Sequence, residues 1–356
     1  MDLLRAHGWD AHFEAALAAL GTGDLAPARV VEEQRGMYRI VAAGGELRAE
    51  IAGRLLQAEP GTLPAVGDWV AIQMLPGDDG AVIQAVLRRR SKISRKVAGK
   101  TTREQVLAAN LDTVFMVTSC DEDFNPRRIE RYLTMIWESG ASPVVLLNKS
   151  DLTDEPSSFV TVAESVALGV PVHLVCATRD GGLAPIEPYL KPASTIALIG
   201  SSGVGKSTIV NRLMGEEVQV VREVLDDARG RHTTRSRQLF LLPAGALVLD
   251  TPGLRELALW ITDAGLGQAF ADIEELAEGC RFQDCAHGSE PDCAVKGAVD
   301  SGDLSAERLE SYHKLRKELE HLERKTDAEG RSLVKRHWRI IQKNFRSGRK
   351  KGWFPK

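Results

Sequence analysis

The sequence predicts three folded parts in a row: a small closed β-barrel, an α/β domain with a mostly parallel sheet, and a helical lobe around a knot of cysteines. Three observations carry this reading. Short β-rich runs cut by glycine and proline turns fill residues 28–87, apolar runs alternate with helical segments from 113 to 250, and three of the five cysteines fall within residues 280–293. A chain of 356 residues exceeds what one core organises. The expected divisions are a helical segment at 1–24, the barrel at 25–90, a basic linker at 91–111, the α/β domain at 112–262 and the helical lobe at 263–356.

Residues 1–20 read as a short amphipathic helix. The barrel strands are expected at Ala28–Glu33, Met37–Val41, Leu47–Ile51, Trp69–Gln73 and Ala81–Leu87, with turns at Gly36, Gly44-Gly45, Pro60-Gly61 and Pro76–Gly80. Five short strands in so few residues fit an OB-fold, with an SH3-like barrel as the alternative. Tyr38 and Trp69 are the aromatics that such a barrel could offer to a nucleic-acid base, although both suit its core. In the α/β part, buried parallel strands are expected at Thr113–Thr118, Pro143–Leu147, Val172–Val175, Thr195–Ile199 and Leu247–Leu249, with helices at Pro126–Ser139, Phe159–Leu168 and Ser207–Met214. Farther on, Leu309, Tyr312, Leu315, Leu319 and Leu322 recur at helical spacing, as do Val334, Trp338, Ile341 and Phe345; both stripes read as core.

Composition narrows the class. Hydrophobic residues make up 43% and charged residues 27%, ordinary for a globular protein. No apolar run approaches the roughly 20 residues of a membrane span, and the N-terminus lacks a basic region followed by an apolar block, so a cytoplasmic protein with no membrane contact is expected. Nothing asks for an obligate oligomer, so a monomer is expected. The net charge of −3 conceals asymmetry: residues 88–103 hold eight basic residues and residues 331–356 hold ten, with no acid in either basic segment, which leaves about −21 on the other 314. Such clustering suits contact with a polyanion.

Gly200-Ser201-Ser202-Gly203-Val204-Gly205-Lys206-Ser207 completes the P-loop pattern between an apolar strand and a helix. Its backbone N–H groups would cradle phosphates at a helix N-terminus. Lys206 would reach the β- and γ-phosphates, Ser207 would ligate Mg²⁺, and Thr208 would add an α-phosphate contact. Fifty residues on, Asp250-Thr251-Pro252-Gly253 follows a buried strand; Asp250 suits a water-mediated hold on Mg²⁺ and the Gly253 N–H suits a γ-phosphate sensor.

Asn148-Lys149-Ser150-Asp151 ends another strand and has the form of a guanine-reading box. A carboxylate at Asp151 accepts from guanine N1–H and N2–H₂, a donor pair adenine does not offer, while Lys149 lies over the ring and Asn148 ties the box to the P-loop. Cys176-Ala177, after Val172–Val175, is the second base-contacting loop through a backbone N–H, with the Cys176 thiol as a small packed group. Here the base box precedes the P-loop, the reverse of the usual order. The same parallel sheet is reached from either order, so the domain reads as a circularly permuted GTPase. The polar stretch Gly230–Arg235 suits a first switch, with Thr233 or Thr234 as a second Mg²⁺ hydroxyl. Leu254 stands where a water-orienting Gln is common, which leaves His232 as the candidate to position the attacking water.

Cys280-x4-Cys285-x-His287-x5-Cys293 supplies three thiolates and one imidazole, a set for one tetrahedral structural Zn²⁺ rather than a disulfide framework. With all these motifs placed, the sequence resembles the RsgA (YjeQ) family of small-subunit-dependent GTPases over nearly its whole length. Gly230–Thr234, Asp250–Glu256, Glu104–Asp112 and the Cys-His knot carry the likeness. The resemblance implies GTP hydrolysis to GDP and phosphate on the small ribosomal subunit during late assembly, and rRNA contacts from the barrel and zinc lobe. It also implies Thr234 as the switch ligand and a hydrolytic role for His232. A competing reading is a GTP-gated RNA-binding scaffold with negligible hydrolysis. A P-loop kinase is a third reading, which the guanine box and the lack of a substrate lid disfavour.

Overall fold

The computed structural model describes residues 2–21, 23–34, 36–56, 61–77, 80–97, 103–215, 237–250 and 263–320. The N-terminal segment is two helices, α1 (Asp2–Ala6) and α2 (Ala11–Ala18), separated at Gly8, rather than the one helix expected. Asp10 caps α2, its carboxylate accepting from the N–H groups of His12 and Phe13.

The barrel follows: β1 (Ala26–Gln34), β2 (Met37–Ala42), β3 (Gly45–Ile51), the short helix α3 (Gly53–Leu56), β4 (Trp69–Met74) and β5 (Ala81–Val86). The pairing order β1-β2-β3-β5-β4 closes through β1–β4, and β3–β5 is its parallel pair. The result is the five-stranded OB-like barrel. Inward-facing Val30, Tyr38, Ile40, Val70, Ile72 and Ile83 fill it. Trp69 is fully buried on the opposite side, against Trp9 and Phe13 of the N-terminal helices. Both candidate stacking aromatics are therefore interior and offer no face to a base.

The segment expected as a basic linker is a hairpin, β6 (Lys92–Val97) with β7 (Arg103–Ala109). Its charges hid buried Ile93 and the continuous buried run Val106, Leu107, Ala108 and Ala109. Three cations at its start are paired: Arg89 with the buried Asp68, Arg90 with Asp10, and Lys92 with Glu104.

The α/β domain contributes β8 (Thr113–Ser119), α4 (Pro126–Ser139), β9 (Ser142–Asn148), α5 (Pro156–Val166), β10 (Val172–Leu174), β11 (Thr195–Ile199), a helix α6 over 206–215, β12 (Arg237–Leu241) and β13 (Leu247–Asp250). Strands β10, β9, β8, β11 and β13 lie parallel in that order. Alternate residues face opposite layers: Val114, Met116, Ala197 and Ile199 join one core, Phe115, Val117, Ile196 and Leu198 the other. Burial on both faces explains the continuous apolar runs.

β12 was not anticipated. It runs antiparallel to β13 and also pairs with β1 of the barrel, Glu32 opposite Gln238 and Glu33 opposite Arg237, so barrel and α/β sheet are one eleven-stranded sheet. The C-terminal lobe adds α7 (Asp263–Ala269), α8 (Ala271–Ala277), α9 (Ala294–Ser301) and α10 over 306–320. Phe270, Ile273, Val295, Tyr312 and Leu315 belong to the same core as the α4 face of the sheet. Buried Arg308 fastens this junction, bonding Asp272 (2.5 and 2.7 Å) and Glu130 of α4 (2.9 Å). Leu322 and the stripe Val334–Phe345 lie outside the described residues, as does the basic segment 331–356.

Candidate nucleotide site and metal knot

Parallel strands end on one edge of a sheet, and loops leaving that edge gather there. β11 delivers Gly200, β9 delivers Asn148, and β13 ends on Asp250. The chain turns sharply at Gly200 (φ +142°), where a Cβ would lie 2.1 Å from the Val117 carbonyl oxygen. At Gly205 (φ +96°) a Cβ would lie 2.2 Å from Asn148 Nδ2. Both glycines are thus required by close approach as well as by conformation. Beyond the loop, Ser207 and Thr208 stand exposed on the first turn of α6, as an anion-binding helix start needs. Lys206 Nζ reaches back across the loop to the carbonyl oxygens of Gly200 (2.8 Å) and Ser201.

The base box sits against this loop. Asn148 is buried; its Nδ2 donates to Val204 O (2.8 Å) and its Oδ1 accepts from the Ala177 N–H (3.2 Å). One carboxamide thereby joins the P-loop, the base box and the Cys176-Ala177 loop. The backbone N–H groups that this loop was expected to offer the base are engaged here, Ala177's by Asn148 and Cys176's by Gly182 O (3.0 Å). Lys149 takes a left-handed conformation (φ 58°) and its ammonium pairs with Asp121 at 2.9 Å. Ser150 Oγ donates to Val175 O (3.1 Å). Asp151 is exposed, and its Oδ1 accepts from the Cys176 thiol at 3.1 Å. That hydrogen bond is the main reason its carboxyl is held below the ordinary aspartate value. The thiol expected only to fill space is a donor.

Two residues of this neighbourhood carry no motif. Asp121 follows β8, accepts from Ser119 and from Lys149, and fixes the lysine that would cover the base. Burial works to raise its carboxyl, and those hydrogen bonds outweigh it. Arg128, in the first turn of α4, bonds Ser201 Oγ of the P-loop. The available signal was positional: Asp121 lies just after the C-terminal end of the central parallel strand β8, and Arg128 opens the helix that follows it. Of the remaining candidates, Asp250 closes β13, while Thr251, Gly253, Leu254, His232, Thr233 and Thr234 lie outside the described residues.

In the C-terminal lobe the ligand atoms of Cys280, Cys285, His287 and Cys293 all lie within 4.8 Å of one another. Cys280 and Cys293 sulfurs are 3.8 Å apart, and His287 Nδ1 is 3.6 and 3.5 Å from them. A tetrahedral ion with bonds of about 2.3 Å to sulfur and about 2.0 Å to nitrogen requires edges of about 3.8 and 3.5 Å. The donor set therefore fits a metal ion with no ligand to add.

Known proteins agree with this geometry. A sequence model of the RsgA GTPase family matches residues 86–260. A Methanosarcina acetivorans protein named small ribosomal subunit biogenesis GTPase RsgA is 42% identical over 96% of this chain and 92% of its own. The chain belongs to the RsgA GTPase family. A second relative of that name, from Opitutus terrae, is 43% identical over 96% of both chains. Among solved structures, YjeQ from Thermotoga maritima is 27% identical, with a TM-score of 0.61 over 83% of this chain and 98% of its own. YloQ, described as a circularly permuted GTPase, shares the fold at a TM-score of 0.61 and 23% identity, over 84% and 96%. As an RsgA-family member the chain is a GTP hydrolase with a permuted α/β domain, an OB-like barrel and a Cys-His knot able to hold a metal ion. Among the described residues no helix is long and apolar enough to cross a membrane.

Proposed function

We propose that this protein binds GTP with Mg²⁺ at the C-terminal edge of its parallel sheet and hydrolyses it on the small ribosomal subunit, in late assembly of that subunit. The observation that carries the nucleotide reading is Asn148, which ties the P-loop carbonyl of Val204 to the Ala177 backbone while Cys176 holds Asp151. In this reading Gly200–Thr208 hold the phosphates, Ser207 and Asp250 with Thr234 hold Mg²⁺, and Asp151 reads guanine with Lys149 over the ring. Gly253 senses the γ-phosphate and His232 positions the attacking water. The knot carries one structural Zn²⁺, since three soft thiolates favour zinc over hard cations.

The ribosomal partner is supported by the names of relatives aligned over nearly the full length. Contact with rRNA would rest on phosphates and shape rather than on Tyr38 or Trp69, which are interior. The protein would act as a cytoplasmic monomer. Multiple-turnover GTP hydrolysis with purified small subunits tests this, with large subunits and free RNA as controls. A large rise with small subunits alone is expected, and His232→Ala should remove most of it. Equal slow turnover in every mixture, despite tight GTP binding, would instead leave a GTP-gated scaffold.

A further inference from the structure

The P-loop is held from outside by a side chain that no nucleotide motif includes. Arg128 lies in the first turn of α4, whose start is fixed by Asn125, the side chain of which accepts from the Arg128 N–H at 3.2 Å. Its guanidinium donates to Ser201 Oγ and to the Asp123 carboxylate (2.7 Å). Ser201 is the first residue after Gly200, and its carbonyl is one of the two that receive Lys206 Nζ. One residue of the loop is therefore held twice: its hydroxyl by Arg128 from outside, and its carbonyl by Lys206 from within.

The base of that arginine is itself immobilised. On the residues flanking it, Arg127 pairs with Glu310 (2.7 Å), Glu130 with Arg308 (2.9 Å) and Arg131 with Glu318 (3.1 Å), so α4 is fastened along α10. The exposed outer pairs contribute little energy singly, but the buried Arg308 bridge and the shared core fix the helix in place. Arg128 thus reaches the P-loop from a rigid support, and a charged donor to a hydroxyl is among the stronger single hydrogen bonds.

We propose that Arg128 is a positioning residue of the nucleotide site: by holding Ser201 Oγ it fixes the opening turn of the P-loop and the carbonyls that set Lys206 across the phosphate cradle. This rests on the reading of Lys206 as the phosphate-binding lysine. Because the cradle is used by substrate and transition state alike, the contact contributes uniform binding, which appears in KM and not in kcat.

The test uses the full-length chain and fluorescent GTP and GDP analogues, alongside steady-state hydrolysis and nucleotide-free melting. Arg128→Ala and Ser201→Ala should each weaken binding of both nucleotides and raise KM by about three- to tenfold, with kcat within about twofold. The double variant should be no worse than the weaker single, since both remove one contact. Ser201→Thr, which keeps a hydroxyl, should restore wild-type affinity. Wild-type affinity in Ser201→Ala, or effects that multiply in the double variant, would overturn the proposal. If Arg128→Ala does not fold, Arg128→Gln takes its place in the same comparison with Ser201→Ala and the double variant. Lys206→Ala separates the two readings: it should abolish binding, and wild-type binding there would sink the P-loop assignment itself, whereas loss there with a silent Ser201→Ala would sink only the role of Arg128.

Discussion

Between Cys176 and Asp151 a thiol donates to a carboxylate oxygen 3.1 Å away, from a residue 25 positions later in the chain. The hydrogen bond orients one oxygen of the guanine reader and favours its ionised form. A carboxylate whose pKa is lowered keeps its charge above that value and loses it only as pH falls through it. GTP affinity should therefore be flat from pH 8 down to about pH 5. Cys176→Ala should weaken GTP binding about two- to threefold, and Cys176→Ser should match wild type, in equilibrium titrations at neutral pH. Unchanged affinity in Cys176→Ala would show that the thiol only packs. Motif residues at this site were legible because their spacing is local, from Gly200 to Ser207 and from Asn148 to Asp151. Arg29 was not. It is fully buried, and it bonds Gly67 O (3.3 Å), Thr195 Oγ1 (2.7 Å) and His7 O, joining barrel, sheet and N-terminal helices. Burial pulls its guanidinium down to about 10, which still leaves it charged at neutral pH. Its partners lie up to 166 residues away, beyond any spacing argument.

At the scale of elements, the strands with continuous apolar runs were placed to within a residue or two, because burial on both faces leaves no ambiguity of period. The hairpin β6–β7 and the strand β12 were missed for a common reason: each opens on charged or polar residues, Lys92, Arg103 to Gln105 and Arg237-Gln238, and its apolar part is too short to read as a strand alone. The Cys-His knot was legible from sequence, but the merging of the lobe's apolar residues with the α4 face of the sheet was not, since no spacing links the two segments. That apolar junction holds the lobe, and the proposed zinc would be a second support. Chelation should release one metal ion per chain, zinc by elemental analysis, and should lower the melting temperature of the lobe without dissolving the sheet. Full-length protein that contains no metal, and melts alike with and without chelator, would refute the structural zinc.

For the molecule as a whole, the determining feature is that β12 pairs on both sides. Gln238 stands opposite Glu32 of the barrel on one flank and opposite Asp250 on the other. The barrel is therefore continuous with the sheet that carries the nucleotide loops, and no spacing in the sequence announces it. Permutation leaves the parallel sheet intact, because β9 and β11 end on the same edge whichever comes first in the chain. The central claim is that this edge, assembled in permuted order, reads guanine through Asp151. Asp151→Asn measures it most directly, by comparing affinities for GTP and xanthosine triphosphate in the full-length protein. The carboxamide can no longer accept from both guanine donors, and it gains a donor suited to the xanthine 2-oxo group. GTP affinity should fall by at least about tenfold while xanthosine triphosphate gains. Unchanged GTP affinity with no gain for xanthosine triphosphate would contradict the account.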